Sequence, residues 1–266
     1  MTLLLYLVIF AIILVFSVRY IERRSLFFPM KEVTSDPGSV GLGYEEIYFD
    51  TVDNKRLNGW LIPNDNAKYT VIFSHGNAGN IAHRISKVAI LHGLGLNIFI
   101  YDYRGFGKSE GSPSEKGLYK DARAAYRYLT EEKNIPKENI ILYGESLGGA
   151  VTVDLAREVE PKAVITDEAF TSIQDMTKIA YPGLPHFVFS SRFDVSGKIK
   201  DITCPKLIIH SIDDEIVFYR LGEKLFNEAK QPKEFLQIRG THTTAFLDSR
   251  ERFSQGLGSF LEGLEK

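Results

Sequence analysis

The chain has 266 residues, 44% hydrophobic and 25% charged, with a formal net charge of −2. That length supports a substantial core in one large domain or two small ones, and the near-neutral charge excludes the basic footprint of a nucleic-acid-binding protein. A single cysteine, Cys204, excludes an intrachain disulfide; it fits a reducing compartment and reads as a small hydrophobe at the start of a strand.

Residues 2–18, TLLLYLVIFAIILVFSV, carry no charge. As a helix they span ~25 Å, slightly short of the ~30 Å hydrocarbon core of a bilayer, and Tyr20 and Ile21 extend the run if Arg19 snorkels to the interface. No Lys or Arg precedes the run and VFSVRY is a poor cleavage site, which argues against a cleaved signal peptide. A buried core helix would show a polar face, and none is present. The sequence therefore predicts a single-pass membrane anchor over residues 1–21. Arg19, Arg23 and Arg24 follow it and place the next domain on the cytoplasmic side, although Glu22 sits among them. Residues 22–43, with Pro29, Pro37, Gly38, Gly41 and Gly43, predict a tether to a domain over 44–266.

Residues 44–50 and 56–63 predict two strands joined by DN at 53–54, and YTVIFS (69–74) is a continuous apolar run of the kind buried on both faces of a sheet. Helical spacing follows over 81–92, with Gly93 as a stop, then a buried strand NIFIYD (97–102). SPSE (112–115) predicts a capping box with Ser112 at the N-cap, Pro113 at N1 and Glu115 at N3 of a long helix. Strand 139–144, helix 147–159 and strand 163–166 come next. A Pro- and Phe-rich stretch over about 168–204 is predicted as a small cap. Strand 206–210, helix 218–230, strand 234–239 and a closing helix near 249–264 finish the chain. Eight strands, with helices alternating after the third, predict an α/β fold with a mostly parallel sheet, helices on both faces and an antiparallel hairpin at the edge. Chemistry in such sheets sits at the carboxyl ends of the strands, so the residues immediately after 74, 102, 144, 166, 210 and 239 are the ones to examine.

Two stretches match G-x-S-x-G: GKSEG (107–111) and GESLG (144–148). A nucleophilic serine needs a tight strand-to-helix turn, with glycines where no side chain fits and helix N–H groups facing the developing charge. Ser146 lies between an apolar strand and an immediate helix. Ser109 does not: EGSP separates it from the next helix, so its stretch is a glycine-turned loop that Asp102, Arg104 and Ser109 pin by hydrogen bonds. A serine hydroxyl also needs a base, and on this type of sheet the acid and then the histidine follow the nucleophile. Of the six histidines, only His186, His210 and His242 follow Ser146. His186 lies in the irregular stretch, His210 ends a strand and leaves no acid-then-histidine order, and His242 sits in a loop just after the last strand. Asp213 and Asp214 both follow strand 206–210, and Asp214 is the preferred acid, with Asp213 kept open. The oxyanion donors expected are the backbone N–H groups of Leu147 and of Asn77 in HGNAGN (75–80), where His75 fixes the loop. The histidines show no metal-ligand spacing, and serine, histidine and aspartate need no cofactor for acyl transfer to water.

SHGNAGN (74–80), DYRGFGKSEG (102–111), GESLGG (144–149), HSIDDEIV (210–217) and GTHTTAF (240–246) together resemble the α/β-hydrolase superfamily, and within it the small serine hydrolases with one N-terminal membrane segment. The resemblance covers nearly the whole chain after residue 44. It implies an α/β-hydrolase fold with Ser146 as nucleophile, Asp214 as acid, His242 as base, and Asn77 with Leu147 as the oxyanion hole. Related enzymes include lipid esterases, protein thioesterases and peptidase-like members, so the resemblance implies the reaction type more firmly than the substrate. The cap aromatics Phe170, Tyr181, Phe187, Phe189 and Phe193 either cover the core or line an apolar acyl cleft. With the anchor, they lead to the expectation of a membrane-bound esterase or thioesterase acting on an acylated small molecule, lipid or acyl-protein. The alternatives are a peptidase-like hydrolase of amides and an inactive anchored scaffold.

Overall fold

Thr70–Ser74, Asn97–Tyr101 and Ile140–Glu145 are almost wholly buried, and these apolar runs lie at the centre of an eight-stranded sheet covered on both sides. The computed structural model describes residues 2–180 and 190–265, apart from the side chain of Ala180 and some side chains of the first helix. In chain order the strands are β1 (Glu45–Asp50), β2 (Arg56–Ile62), β3 (Thr70–Ser74), β4 (Asn97–Tyr101), β5 (Ile140–Glu145), β6 (Ala163–Asp167), β7 (Lys206–Ser211) and β8 (Lys233–Ile238). They lie across the sheet in the order β8-β7-β6-β5-β3-β4-β2-β1. Only β2 runs antiparallel to its neighbours, β1 and β4; every other pairing is parallel. The predicted hairpin is therefore the sheet edge, and the first half of the α/β region folds outward from β3 and the second half from β5.

Amphipathic helices fill the two faces. α2 (Ile85–Gly93) and α9 (Arg250–Gly263) pack on one, through Val88, Leu91, Phe253 and Leu257. α3 (Glu115–Arg127), α4 (Leu147–Val159), α6 (Val195–Ile199) and α7 (Tyr219–Glu228) pack on the other. α5 (Ile173–Ala180) lies in the expected cap, and the short α8 (Ala245–Asp248) leads into α9. The cap aromatics Tyr181, Phe187 and Phe189, and His186, fall outside the described residues.

The N-cap expected at Ser112 is at Ser114 instead, whose hydroxyl oxygen accepts the Gly117 N–H at 3.2 Å. The reason is competition for Glu115. Its carboxylate reaches out of the helix to accept the N–H groups of Arg192 (2.7 Å) and Phe193 (2.8 Å), so it does not close a box on residue 112.

The N-terminal region divides at residue 22. α1 runs from Thr2 to Leu26, and its described side chains up to Ile21, mostly apolar, stand exposed. Glu22 is buried, and its carboxylate accepts the N–H groups of Ser190 and Ser191. Phe27 packs edge-on against Phe193, and Phe28–Pro29 pairs in parallel with Ala78–Gly79. The stretch expected as a tether thus lies against the domain from Glu22 onward. Among the described residues, no helix is long and apolar enough to cross a membrane.

Candidate active site

β5 ends at Glu145 and α4 begins at Leu147, so Ser146 alone turns the chain. It does so with φ 52° and ψ −115°, a backbone that non-glycine residues rarely adopt. Its N–H donates to the carbonyl of Asp167 on β6 at 2.8 Å, which ties the strained residue to the sheet. The turn requires glycine at 144, where a Cβ would stand 2.4 Å from the Gly148 carbonyl oxygen.

The loops after β7 and β8 bring two more residues to this turn. Nε2 of His242 lies 3.0 Å from Oγ of Ser146, and Nδ1 lies 2.7 Å from Oδ2 of Asp214. A carboxylate only accepts, so Nδ1 carries the proton and Nε2 is left to accept from the serine hydroxyl. The other Asp214 oxygen accepts the N–H groups of Ile216 (2.9 Å) and Val217 (2.7 Å), which fixes the carboxylate in place. Asp213 is turned away, with a side chain 47% exposed near Arg239. His242 also donates its backbone N–H to Glu215 at 3.1 Å.

The remaining candidates have other partners. Ser109 is buried and donates to the Asp102 carbonyl (2.7 Å) while accepting the Asn58 N–H (2.9 Å). Arg104 pairs with Asp121 and Asp53. His210 is buried with Nε2 on the Val217 carbonyl at 2.7 Å, and burial pushes its imidazole down from its ordinary value. His75 is buried under the 75–80 loop with Nδ1 at 2.7 Å from the Gly76 carbonyl; burial, then the Arg84 charge, push it down to about 3.

Asn77 and Leu147 both line the cleft that holds Ser146 and His242. The Asn77 carbonyl accepts the Phe28 N–H at 2.9 Å, and its side-chain amide donates to the Leu26 carbonyl at 3.0 Å, so the end of α1 holds this loop. Leu147 is the first residue of α4, where a backbone N–H has no intrahelical acceptor. Ser146 and His242 open on a cleft of about 480 Å³. Leu26, Phe28, Phe170, Ile173, Met176 and Val217 make its apolar side, and Arg84 and Glu145 a charged one. Phe193, by contrast, is a core residue, packed against Phe27 and Tyr119.

Five charged residues near the serine were not foreseen. Arg84 pairs with Glu145 (3.1 Å), and Lys87 with Glu145 (3.2 Å) and Asp167 (2.5 Å). Burial alone would raise Glu145, but Arg84 and Lys87 hold its carboxyl down to about 2. Glu168, just past β6, is 3% exposed, with φ 55° and one oxygen 3.5 Å from Nδ1 of His242. Its position after a strand end was the signal available in the sequence. Glu168, Asp214 and His242 bring their metal-capable atoms within 4.8 Å of one another, but both nitrogens of His242 are engaged by Asp214 and Ser146, leaving none for an ion.

The family described as "Serine aminopeptidase, S33" matches residues 65–189. An uncharacterized protein of Mycobacterium tuberculosis is 34% identical over 222 residues, covering 82% of this chain and 79% of the relative. The human alpha/beta hydrolase domain-containing protein 17B is 40% identical over 176 residues, 66% of this chain and 60% of that protein. Among solved structures, an esterase from Pyrococcus furiosus superposes with a TM-score of 0.75 at 22% identity, covering 88% of this chain and 98% of the esterase; at that identity the likeness is one of fold.

Proposed function

Because this chain belongs to the α/β-hydrolase superfamily, we propose that it is a serine hydrolase that cleaves carboxylic ester or thioester bonds of lipid-like acyl substrates. The observation that carries the reading is the chain of two hydrogen bonds from Ser146 through His242 to Asp214 at the end of β5. His242 takes the hydroxyl proton as Oγ attacks the acyl carbon, and Asp214 stabilises the imidazolium. The backbone N–H groups of Leu147 and Asn77 hold the oxyanion. His242 then returns the proton to the departing alcohol or thiol, leaving an acyl-enzyme; water repeats the sequence and frees the acid.

The apolar side of the cleft suits an acyl chain, and the Arg84–Glu145 side suits a polar leaving group. α1 seats the enzyme in the membrane through residues 2–18, with the catalytic domain facing the cytoplasm. What supports this is the uncharged run, its exposed apolar side chains and the arginines that follow it. The seat keeps the site at the surface where acylated small molecules, lipids or acyl-proteins concentrate.

Fluorophosphonate labelling of the full chain in detergent tests the nucleophile. Wild type is expected to take up the label and Ser146→Ala to take up none; an unlabelled wild type, or equal labelling of the variant, would sink the reading. A second reading, hydrolysis of amides, is favoured by the description of the matched family. Parallel panels of chromogenic esters and amides separate the two, since faster turnover of amides would replace the esterase reading.

A further inference from the structure

His242 faces two carboxyl groups through one nitrogen. Asp214 is at 2.7 Å from Nδ1 and Oε2 of Glu168 at 3.5 Å. Glu168 is buried, and its Oε1 has no hydrogen-bond partner among the described residues. Its backbone is in the left-handed region, and its N–H donates to the Ile209 carbonyl on β7 at 2.9 Å. A buried acid with a spare oxygen, held on a costly backbone and aimed at the triad, is a poor structural filler. We propose that Glu168 is a second positioning residue for His242, which shares Nδ1 with Asp214 and becomes its carboxyl partner when Asp214 is removed. This rests on the serine-hydrolase reading above.

Two carboxylates this close cannot both ionise cheaply. Around Glu168 stand Asp167 and Glu145 at the ends of β6 and β5, Tyr143 on β5, Lys87 on α2, Asp214 after β7, and His242. Lys87 is already paired with Asp167 and Glu145. Burial, then the Asp167 charge, push the Glu168 carboxyl well up from its ordinary value, which favours its uncharged form. The Asp214 charge is itself one of the causes. Removing it lets Glu168 ionise at lower pH, and a carboxylate then forms opposite Nδ1.

The experiment uses the full chain and reads ester turnover from pH 6 to 9, corrected with Ser146→Ala, for wild type, Glu168→Gln, Asp214→Ala and Asp214→Ala/Glu168→Gln. Asp214→Ala is expected to lose activity at pH 6 and to recover as pH rises. The double variant is expected to lose roughly 10⁴-fold, the usual cost of an absent orienting carboxylate, with no recovery, so the two differ by about 100-fold at pH 9. Glu168→Gln alone costs about 3- to 10-fold. Identical pH profiles for Asp214→Ala and the double variant overturn the proposal, as does a loss in Glu168→Gln equal to that in Asp214→Ala. Should Asp214→Ala fail to fold, Asp214→Ser is read in the same way. A wild type without fluorophosphonate labelling fails the serine-hydrolase reading instead, so the two failures are distinct.

Discussion

Gly148 and Ser74 stand back to back: a Cβ on Gly148 would lie 1.9 Å from the Ser74 carbonyl oxygen. The first turn of α4 thus rests directly on the end of β3, and this contact sets the distance between Ser146 and the 75–80 loop. Gly148→Ala is expected to cost about 3 kcal/mol or more of stability, because backbone rather than a flexible side chain would have to move. Gly258 on α9 is the control, with nothing within 4 Å of an added Cβ. Gly258→Ala should be neutral or stabilise by about 0.5–1 kcal/mol through helix propensity. Thermal melts of the two variants check the contrast.

The two neighbouring aspartates should behave as differently as they are placed. Asp214→Asn is expected to lower kcat/KM by roughly 10³- to 10⁴-fold, because the amide donates to Nδ1 and imposes the wrong tautomer on His242. Asp213→Asn should stay within about threefold of wild type. Comparable losses in the two variants would mean that the acid is shared or misassigned.

Met176 borders the apolar side of the cleft from α5. Met176→Trp should shorten the space for an acyl chain, lowering the ratio of long-chain to short-chain ester turnover by about tenfold. An unchanged ratio would place the acyl chain elsewhere.

Asp102 gives a prediction for stability against pH. One of its oxygens accepts the Ile81 N–H at 3.0 Å, and burial pushes its carboxyl up to about 7. The folded state therefore holds a proton that the unfolded chain releases near pH 4. Asp102 thus favours folding fully below that value, and the advantage is lost as pH rises toward 7. Asp102→Asn keeps an acceptor for Ile81 and cannot ionise. Its stability should fall less than that of wild type between pH 4 and 7, by on the order of 1–3 kcal/mol. Denaturant midpoints across that range test this, and parallel curves would refute it.

Flotation with lipid vesicles tests α1. The full chain is expected to float and a chain lacking residues 1–21 to remain below, with Glu22 and its contacts to Ser190 and Ser191 kept. Equal flotation would remove the anchor from the account.

The sheet was readable because its central strands are apolar at nearly every position, a pattern with few other uses. Ser146 was separable from Ser109 by local context alone, since a strand before and a helix after are both written within a few residues. The features that escaped are the ones made by distant chain. Glu22 is covered by residues 168 and 169 positions away. Ser114 displaces Ser112 as the cap because Glu115 is drawn to Arg192 and Phe193. Glu168 approaches His242 only because β6 lies between β5 and β7, an adjacency that no local pattern states. Asp213 and Asp214 are adjacent in the chain, and what separates them is the turn in which Ile216 and Val217 present their N–H groups to Asp214 alone.

The φ of 52° at Ser146 reaches beyond stability. A side chain branched at Cβ is excluded there by its own backbone, so Ser146→Thr should lose the nucleophile although it keeps a hydroxyl, whereas Ser146→Cys should keep the aim of the side chain and change only its chemistry. Labelling both variants with a thiol- and hydroxyl-reactive phosphonate reads the difference. At this position the shape of the chain restricts which nucleophiles evolution can try, before reactivity has any say.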